Sequence, residues 1–571
     1  MRSVAKGIQG LCFVGLVLFG GLRSACGAVP SVDQLFPLFV KPGTTNEVAV
    51  VGKVDPWPGQ LWVDHPHIRC EPTTNSGTFR VIVAEDVADG PVLTRVSNFD
   101  GASGTRFLVV TSQALQSEKE PNDLFTKPQV IDTLPVSIQG RLEKADVDSF
   151  AVTLDEGQTL VAQLDAQMLQ SPIDAVLRVL DGRGVQRAWN HDNGRTLDPA
   201  VAFTVRSAGT YVVQAFGFDH PANSDVKFGG NAKCVYRLRL SKGPVIRYPL
   251  PLGVPRGSNV VQQLFGWGEQ TFGGQETEVS GPLVSNAMAS VEMRWPGVEN
   301  GLTIPVGDGQ ELVEQESGGN VRDLDTVPVP GAISGRIQEA GDEDRFRFAA
   351  RKDAKLVFEV LSAEFGFPLD AWLRIEDAQR KELARSDDGN SSDPRLEWTP
   401  ATDGDFVVVI GSLLRRGGAD YVYRLAITHP RPSFNLTLAA EIFSIEPGKT
   451  NEVKLAVVRR EGFQGKFRLV IEGLPAGLRS EPMDVPEKDG DVTLKLIADS
   501  QASATNTIFQ VRAEEVGGAR TYPAVFLLAS TGENNGVPQG YRHLVIESHS
   551  KPWLTVLPPK KESDKKEPEK K

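Results

Sequence analysis

Short runs of apolar residues recur along the whole chain, and Gly, Pro, Asn and Asp separate them. In GTFRVIVAEDVADGPVLTRVSN (77–98), two alternating apolar runs flank a turn that is rich in Asp and Gly. Alternation with a period of two is typical of half-buried β-strands, and such turn residues connect neighbouring strands. Long stretches with helical periodicity are scarce. The pattern therefore predicts an all-β chain, and its 571 residues predict several β-sandwiches in series instead of one core.

One part of this pattern occurs twice at long range. The segment ADVDSF (145–150) recurs 196 residues later (342 − 146) as GDEDRF (341–346). The same shift places SPIDAVLR (171–178) on FPLDAWLR (367–374). Self-similarity over such a length indicates two copies of one structural module.

A second repeated pattern occurs before, between and after the two copies of the first one. It comprises FPLFVKPGTTNEVAVVG (36–52), PLGVPRGSNVVQQLFGWG (251–268) and IFSIEPGKTNEVKLAVV (442–458). Each copy predicts a strand, a Pro/Gly turn and a second strand, as in the opening hairpin of an immunoglobulin-like sandwich. The two kinds of module therefore alternate along the chain.

The repeats and the composition of the two ends divide the chain into seven segments. In order, we predict a signal peptide at 1–28, an immunoglobulin-like module at 29–117, a first repeat module at 118–242, a short immunoglobulin-like module at 243–312, a second repeat module at 313–429, an immunoglobulin-like module at 430–557 and a disordered charged tail at 558–571.

The N-terminus has the three parts of a secretory signal peptide. A basic start is followed by the apolar run LCFVGLVLFGGL and by small residues, so we expect cleavage near Ala28. Lipid anchoring at Cys26 is the less favoured alternative, because Arg23 stands where a lipidation motif carries Leu. No later apolar run reaches the ~18–20 residues of a spanning helix. We therefore expect an exported protein without a transmembrane segment, either secreted, periplasmic or on the cell surface.

Charge and cysteine content restrict the expected partners and bonds. The net charge of −12 argues against nucleic acid, because phosphate binding needs clustered Lys and Arg. An acidic surface suits solubility or divalent cations instead. Cys70 and Cys234 lie in different predicted modules, so we expect no disulfide framework in an exported chain that would permit one.

The first repeat carries several short motifs in a fixed order. They are E-x-E-P-N-D at 118–123, D-x-D-x-F at 146–150, S-P-x-D-A at 171–175, D-x-x-G at 181–184, D-P at 198–199 and G-x-Y at 209–211. This order resembles the bacterial pre-peptidase C-terminal (PPC) domain. The resemblance implies a jelly-roll β-sandwich, found beside the catalytic domains of secreted peptidases and also in large surface proteins without a peptidase. The second repeat matches from Gly335 onward, but its opening, EQESGGN (314–320), is degraded.

The resemblance also implies a calcium site, because some members of the family use the acidic opening segment for this ion. Calcium prefers carboxylate and carbonyl oxygens that a loop supplies at short spacing. The candidate ligands are Glu118, Glu120, Asn122, Asp123, Asp146 and Asp148 in the first repeat, with Asp342 and Asp344 as weaker candidates in the second. The alternative is that these acids only form turns. We interpret five further acidic positions as turn or structural residues, namely Asp174, Asp370, Asp181-Gly182, Asp192-Asn193-Gly194 and Asp387-Asp388-Gly389.

No catalytic motif stands out. The chain has neither H-E-x-x-H nor G-x-S-x-G, and no nucleotide-binding fingerprint. The segment DHPHIRC (64–70) carries two His and one Cys, but a zinc site would need a fourth ligand, so we interpret it as a loop. Among the tryptophans, we expect Trp372 and Trp398 to pack in or along a sheet, and Trp267 is the best candidate for an exposed contact.

These features predict an exported, non-catalytic, multi-module binding or adhesion protein, stabilised by calcium. Its expected partner is an extracellular polymer, either polysaccharide or protein, or a component of the cell envelope. One alternative is an accessory or complete secreted peptidase or hydrolase with an unrecognised active site. It is disfavoured because the predicted sandwiches leave no stretch of about 200–300 residues for a familiar catalytic domain. The other alternative is a scaffold or spacer in the envelope.

Overall fold

The computed structural model describes residues 28–194, 196–221, 227–268, 273–280, 290–315, 325–387, 393–528 and 544–559. Apart from Ala28, the predicted signal peptide lies outside these residues, and so does the tail beyond Pro559. The described residues form strands and two short 3₁₀ turns, with no α-helix among them. The all-β prediction is therefore confirmed. No helix in this part of the chain is long and apolar enough to cross a bilayer.

The first sandwich contains two β-sheets. Its strands are β1 Ser31–Phe36, β2 Phe39–Val40, β3 Thr45–Lys53, β4 Gln60–Val63, β5 Ile68–Pro72, β6 Thr78–Val83, β7 Gly90–Asn98, β8 Gly101–Ala102 and β9 Arg106–Val110. The strand orders are β1-β3-β6-β5 and β2-β9-β7-β4, with β8 paired to β7. Val48 and Phe79 from one sheet and Leu108 from the other belong to one core.

The second sandwich begins just before the acidic segment. Its strands are β10 Leu115–Ser117, β11 Gln129–Val130, β12 Val136–Arg141, β13 Asp148–Leu154, β14 Thr159–Asp165, β15 Ile173–Asp181, β16 Gln186–Asn190, β17 Ala200–Thr204, β18 Gly209–Asp219 and β19 Val235–Ser241. The sheets have the orders β10-β12-β19-β14-β17 and β11-β13-β18-β15-β16. Ile138 and Phe150, from opposite sheets, are fully buried in the shared core.

The third sandwich is the smallest. Its strands are β20 Val245–Leu250, β21 Val254–Pro255, β22 Asn259–Trp267, β23 Gly273–Ser280, β24 Ser290–Arg294 and β25 Gly301–Gly307. They form two three-stranded sheets, β20-β22-β23 and β21-β25-β24. Leu264 and Ile304 meet in its core, which shows that this segment has apolar packing of its own.

The fourth sandwich repeats the topology of the second. Its strands are β26 Gln310–Val313, β27 Gly331–Arg336, β28 Glu343–Ala350, β29 Leu356–Leu361, β30 Ala371–Glu376, β31 Glu382–Ser386, β32 Arg395–Trp398, β33 Gly404–Ser412 and β34 Val422–Thr428. The orders β26-β27-β34-β29-β32 and β28-β33-β30-β31 match those of the second sandwich strand for strand, without β11. An isolated parallel bridge between Thr326 and Arg347 stands at the place of β11. The repeat in the sequence is therefore a repeat in the structure.

The fifth sandwich is the last one among the described residues. Its strands are β35 Ser433–Leu438, β36 Ile442–Ile445, β37 Thr450–Arg460, β38 Phe467–Glu472, β39 Leu478–Arg479, β40 Met483–Asp484, β41 Gly490–Ala498, β42 Thr505–Ile508, β43 Gln510–Glu515, β44 Thr521–Pro523, β45 Phe526–Leu527, β46 Ser548–His549 and β47 Trp553–Val556. The larger sheets are β35-β37-β41-β39, β36-β47-β42 and β40-β38-β43-β44, and β45 pairs with β46.

The fifth sandwich contacts the first one directly. The side chain of Arg95 is 1% exposed, and its guanidinium donates to Glu441 at 2.6 Å. Asp64 of the first sandwich accepts from Lys551 at 2.7 Å and lies 2.9 Å from the ring of His549. The first and fifth sandwiches are therefore in contact, which a fully extended row of modules would not allow.

Candidate metal centre at the acidic segment of the second sandwich

The acidic segment, residues 118–123, lies across the start of the second sandwich. Strand β10 runs parallel to β12, so the chain that follows β10 continues beside that strand. The N–H of Glu118 donates to the carbonyl of Gln139 at 3.0 Å, and the N–H of Ser149 donates to the carbonyl of Asn122 at 3.2 Å. These two bonds bring the segment next to Asp148, the first residue of β13.

Three carboxylates converge at this point. Oxygens of Glu118, Glu120 and Asp148 all lie within 4.8 Å of one another. Asp148 is fully buried, whereas Glu120 is exposed. The Tyr236 hydroxyl lies 2.9 Å from Glu118 Oε2 and 2.5 Å from Asp148 Oδ2. A hydroxyl has one proton to donate, so it can donate a hydrogen bond to only one of these two carboxylates at a time. The cluster therefore needs a further proton or a cation.

A glycine makes room for this arrangement. Gly140 lies opposite Tyr236 in the pairing of β12 with β19. A Cβ at this position would lie 2.2 Å from Glu118 Oε2 and 2.3 Å from the Tyr236 hydroxyl oxygen. Because no side chain fits there, Gly140 is a requirement of the carboxylate cluster and not only of the strand.

The shifted pKa values reflect the crowding of negative charge. Burial raises the pKa of Glu118 to about 7. Burial, reinforced by the neighbouring Glu118 carboxylate, raises the pKa of Asp148 to about 10. The pKa of Glu120 is also raised, by burial and by the nearby Asp146 and Asp123. A bound cation would reverse this effect and favour the ionised forms.

Buried polar atoms without partners lie beside the carboxylates. Asn122 is 1% exposed, and neither its amide oxygen nor its amide nitrogen has a hydrogen-bond partner. Oδ1 of Asp148 is likewise buried and unpaired. Such atoms are rare in folded proteins because leaving them unpaired is costly. Carboxylate and amide oxygens are the donors that calcium takes, so this set fits calcium.

Two other candidate ligands of the first repeat do not join the cluster. Asp146 precedes β13, and its carboxylate accepts from the N–H of Glu143 at 3.0 Å and of Val147 at 2.9 Å. Asp123 is exposed and lies outside the group of converging oxygens. The two acids of D-x-D therefore have different roles, since Asp146 shapes the turn and Asp148 faces the cluster.

The second repeat keeps the turn but gathers fewer ligands. Asp342 accepts from the N–H of Glu343 at 2.9 Å, and Asp344 accepts from the Tyr423 hydroxyl at 2.7 Å. Residues 316–324, which include most of the degraded opening, lie outside the described residues. Within the described part of the chain, no converging group of ligands includes Asp342 or Asp344.

The described residues contain a second converging group, which the sequence does not predict. It consists of Asp174, His191 and Asp192, although the sequence pattern around Asp174 and Asp192 indicates turn or structural residues. The histidine-rich loop of the first sandwich does not converge in this way. There His67 pairs with the exposed Asp86 at 2.7 Å.

Trp372 and Trp398 pack as expected, but Trp267 is not the exposed tryptophan. Trp372 is buried, and Trp398 packs against the core of the fourth sandwich. Trp267 is half-buried, with the Arg247 guanidinium 5.1 Å from its ring centroid. The exposed ring is instead that of Trp189, at 57%. Trp189, and not Trp267, is therefore the tryptophan that is available for an exposed contact.

Comparison with known proteins yields only distant similarities. The chain matches no protein-family model and no curated protein. Among solved structures, the pre-peptidase C-terminal domain of collagenase from Bacillus anthracis matches at 13% identity and a TM-score of 0.16, over 18% of this chain and 94% of that domain. The ICAM-5 D1–D4 ectodomain fragment matches at 12% identity and a TM-score of 0.12, over 86% of this chain and 96% of that one.

A bacterial protein matches over most of the chain. Elastase-activated Escherichia coli alpha-2-macroglobulin matches at 11% identity and a TM-score of 0.13, over 93% of this chain. The present chain covers 53% of that protein's length. Such scores are too low to support any functional argument. The solved structures that resemble this chain thus include a PPC domain and multidomain proteins, and the strands themselves establish the multidomain β-sandwich fold.

Proposed function

We propose that this chain is an exported, non-catalytic binding or adhesion protein related to the tandem PPC-domain proteins, and that it holds calcium in its first repeat. The observation that carries the proposal is the oxygen-only cluster of Glu118, Glu120 and Asp148 beside the unpaired amide of Asn122. Calcium would supply a positive charge to these carboxylates, whereas the neutral Tyr236 hydroxyl supplies only a hydrogen bond. The residues of the chain supply the oxygens and the buried surroundings.

The position of the cluster indicates what calcium would do. The acidic segment follows β10, where the first sandwich passes into the second. Strand β12, which carries Gly140, also touches the first sandwich, because the N–H of Phe39 donates to Gln139 Oε1 at 3.3 Å. The guanidinium of Arg141 lies 5.2 Å from the ring centroid of Phe36. A cation here would therefore stiffen the junction of the first two modules.

The geometry supports binding more than catalysis. Glycosidase chemistry uses carboxylates that face each other across a substrate cleft. Here the carboxylates point at one another and are backed by Tyr236, so they leave no space for a substrate between them.

A cavity of about 470 Å³ lies between the first and fifth sandwiches, lined in part by Trp57, Phe99 and Asn506. Phe99 is 75% exposed and offers a ring for stacking. We assign this surface to an extracellular polymer or an envelope component.

A pull-down of residues 29–571 tests the proposal. The insoluble polymers are peptidoglycan, chitin, cellulose, collagen and the cell's own envelope, each with calcium and with chelator. We expect calcium-dependent retention on one of them. Glu120→Gln should reduce this retention by about tenfold, because loss of a metal-site residue typically weakens metal binding by that much or more.

The control variant is Asp484→Asn, an acid that is 73% exposed in the fifth sandwich. It should bind as the unaltered chain does. Retention that is equal in calcium and chelator would contradict a calcium-stabilised binding protein. Degradation of a polymer would contradict the non-catalytic assignment, and the absence of retention on every polymer would favour the scaffold alternative.

A further inference from the structure

The second group of converging ligands lies at β15 and β16, in the sheet of the second sandwich that also contains β13. Asp174 is on β15, and His191 and Asp192 follow β16. One ligand atom from each lies within 4.8 Å of the other two, and His191 Nδ1 lies 3.1 Å from Asp192 Oδ2. The group shares no residue with the proposed calcium cluster, and it contains an imidazole.

Two of its oxygens are buried without partners. Oδ1 of Asp174 and Oδ1 of Asp192 are shielded from solvent, and neither accepts a hydrogen bond. A buried acceptor that lacks a donor destabilises the folded state, and more so when it is charged. Turn formation does not account for these oxygens, because a turn-forming carboxylate would accept backbone N–H groups. By contrast, Asp181 accepts from the N–H groups of Arg183 and Val185.

A second histidine stands near Asp174. The N–H of His220 donates to the carbonyl of Pro172 at 3.1 Å, which fixes its backbone two residues from Asp174.

We propose that Asp174, His191 and Asp192 bind a divalent transition-metal ion of the zinc class. Imidazole nitrogens suit zinc, copper, nickel and iron, whereas calcium takes oxygen ligands. Zinc prefers four ligands in a tetrahedral arrangement, and His and Asp are among its usual donors. The mixed donor set therefore separates this site from the calcium cluster by metal type.

The second repeat supplies an internal comparison. It keeps the aspartate, as Asp370, but Asp387 stands at the position of His191 (387 − 191 = 196). Strand pairing places Ala175 opposite Gly217 and Ala371 opposite Ser412, so His220 corresponds to Arg415, three residues farther on in each case. A guanidinium remains protonated and does not ligate metals. Because the same fold forms without either histidine, the fold alone does not require them.

The test is a titration of residues 29–571 with Zn²⁺ alone and with Co²⁺ alone, in saturating Ca²⁺. Calorimetry measures the Zn²⁺ affinity, and the visible absorption of bound Co²⁺ reports its coordination geometry. We expect one Zn²⁺ site and a tetrahedral Co²⁺ spectrum. His191→Ala should weaken Zn²⁺ binding by about 100-fold, because it removes a direct ligand. Glu120→Gln should leave Zn²⁺ binding unchanged, which separates this site from the proposed calcium cluster.

His67→Ala is the matched control, since His67 also pairs with an aspartate but has no third ligand in the described structure. It should bind Zn²⁺ as the unaltered chain does. Zn²⁺ binding that is equally tight in His191→Ala would overturn the proposal, and so would an octahedral Co²⁺ spectrum that does not depend on His191. His191 is half exposed, so this variant is expected to fold even where Asp174→Asn does not.

Discussion

Calcium-free protein should lose stability in its second sandwich as the pH rises from about 4.5 to about 7, and calcium should restore what is lost. The folded chain holds the Glu118 proton with a pKa of about 7, against an ordinary value of 4.5, because the carboxyl is buried. The stabilisation from this proton is therefore complete below about pH 4.5 and disappears as the pH passes about 7. The pKa of Asp148, in the same buried cluster, is raised to about 10, so the loss continues above pH 7. Thermal melts in chelator and in calcium measure it.

Glu118→Gln separates this effect from the rest of the chain. The variant removes the buried charge, so it should melt at a higher temperature than the unaltered protein in chelator at neutral pH. It should also lose the calcium response. Asp198, whose pKa burial likewise raises to about 7, should still contribute its own pH dependence without any response to calcium. Equal destabilisation of Glu118→Gln in calcium and in chelator would show that Glu118 is a structural hydrogen-bond acceptor only.

Glu311→Ala should destabilise the junction of the third and fourth sandwiches by about 3–5 kcal/mol, because it leaves a buried guanidinium without its partner. Glu311 and Arg424 are joined by two hydrogen bonds, of 2.9 and 2.6 Å, and their side chains are 0% and 6% exposed. A Cβ at Gly307 of β25 would lie 2.1 Å from Glu311 Oε1, so the third sandwich closes over the pair. Denaturant unfolding of the unaltered and variant chains measures the loss.

Asp484→Ala is the matched control for this substitution. It breaks the pair of Asp484 with Arg468 at 2.9 Å, in which both side chains are more than half exposed. Exposed pairs contribute about 0–1 kcal/mol, so this variant should unfold almost as the unaltered chain does. Similar losses in the two variants would contradict the assignment of Glu311 to a buried junction.

The fold could be predicted from the sequence because alternation and the long-range repeat are local or self-similar signals. Where the sandwiches begin was harder to predict. Leu115–Ser117 and all of Gln310–Val313 except its last residue lie in segments predicted as immunoglobulin-like, yet both strands pair with the sandwich that follows. Both pairings are parallel. A parallel partner is reached through a long connection, so no tight turn in the sequence marks it.

The candidate sites also depend on contacts between residues that are far apart in the sequence, and these contacts could not be predicted. Glu118, Glu120 and Asp148 were identified because two short motifs contain them. Tyr236 was missed because it lies 88 residues beyond Asp148 and reaches it only through the pairing of sheet strands. The group of Asp174, His191 and Asp192 was missed for a similar reason. Its members come from β15 and from the loop after β16, and only the folded chain brings their side chains together.

Calorimetric titration of calcium into residues 29–571 tests the central claim most directly. The unaltered chain should bind calcium, and Asp148→Asn should abolish the heat that comes from the first repeat. Asp344→Asn changes the corresponding buried aspartate of the second repeat, beside Tyr423, and should leave that heat unchanged. An unchanged titration of Asp148→Asn, or an equal loss in both variants, would contradict a calcium site at the acidic segment of the first repeat.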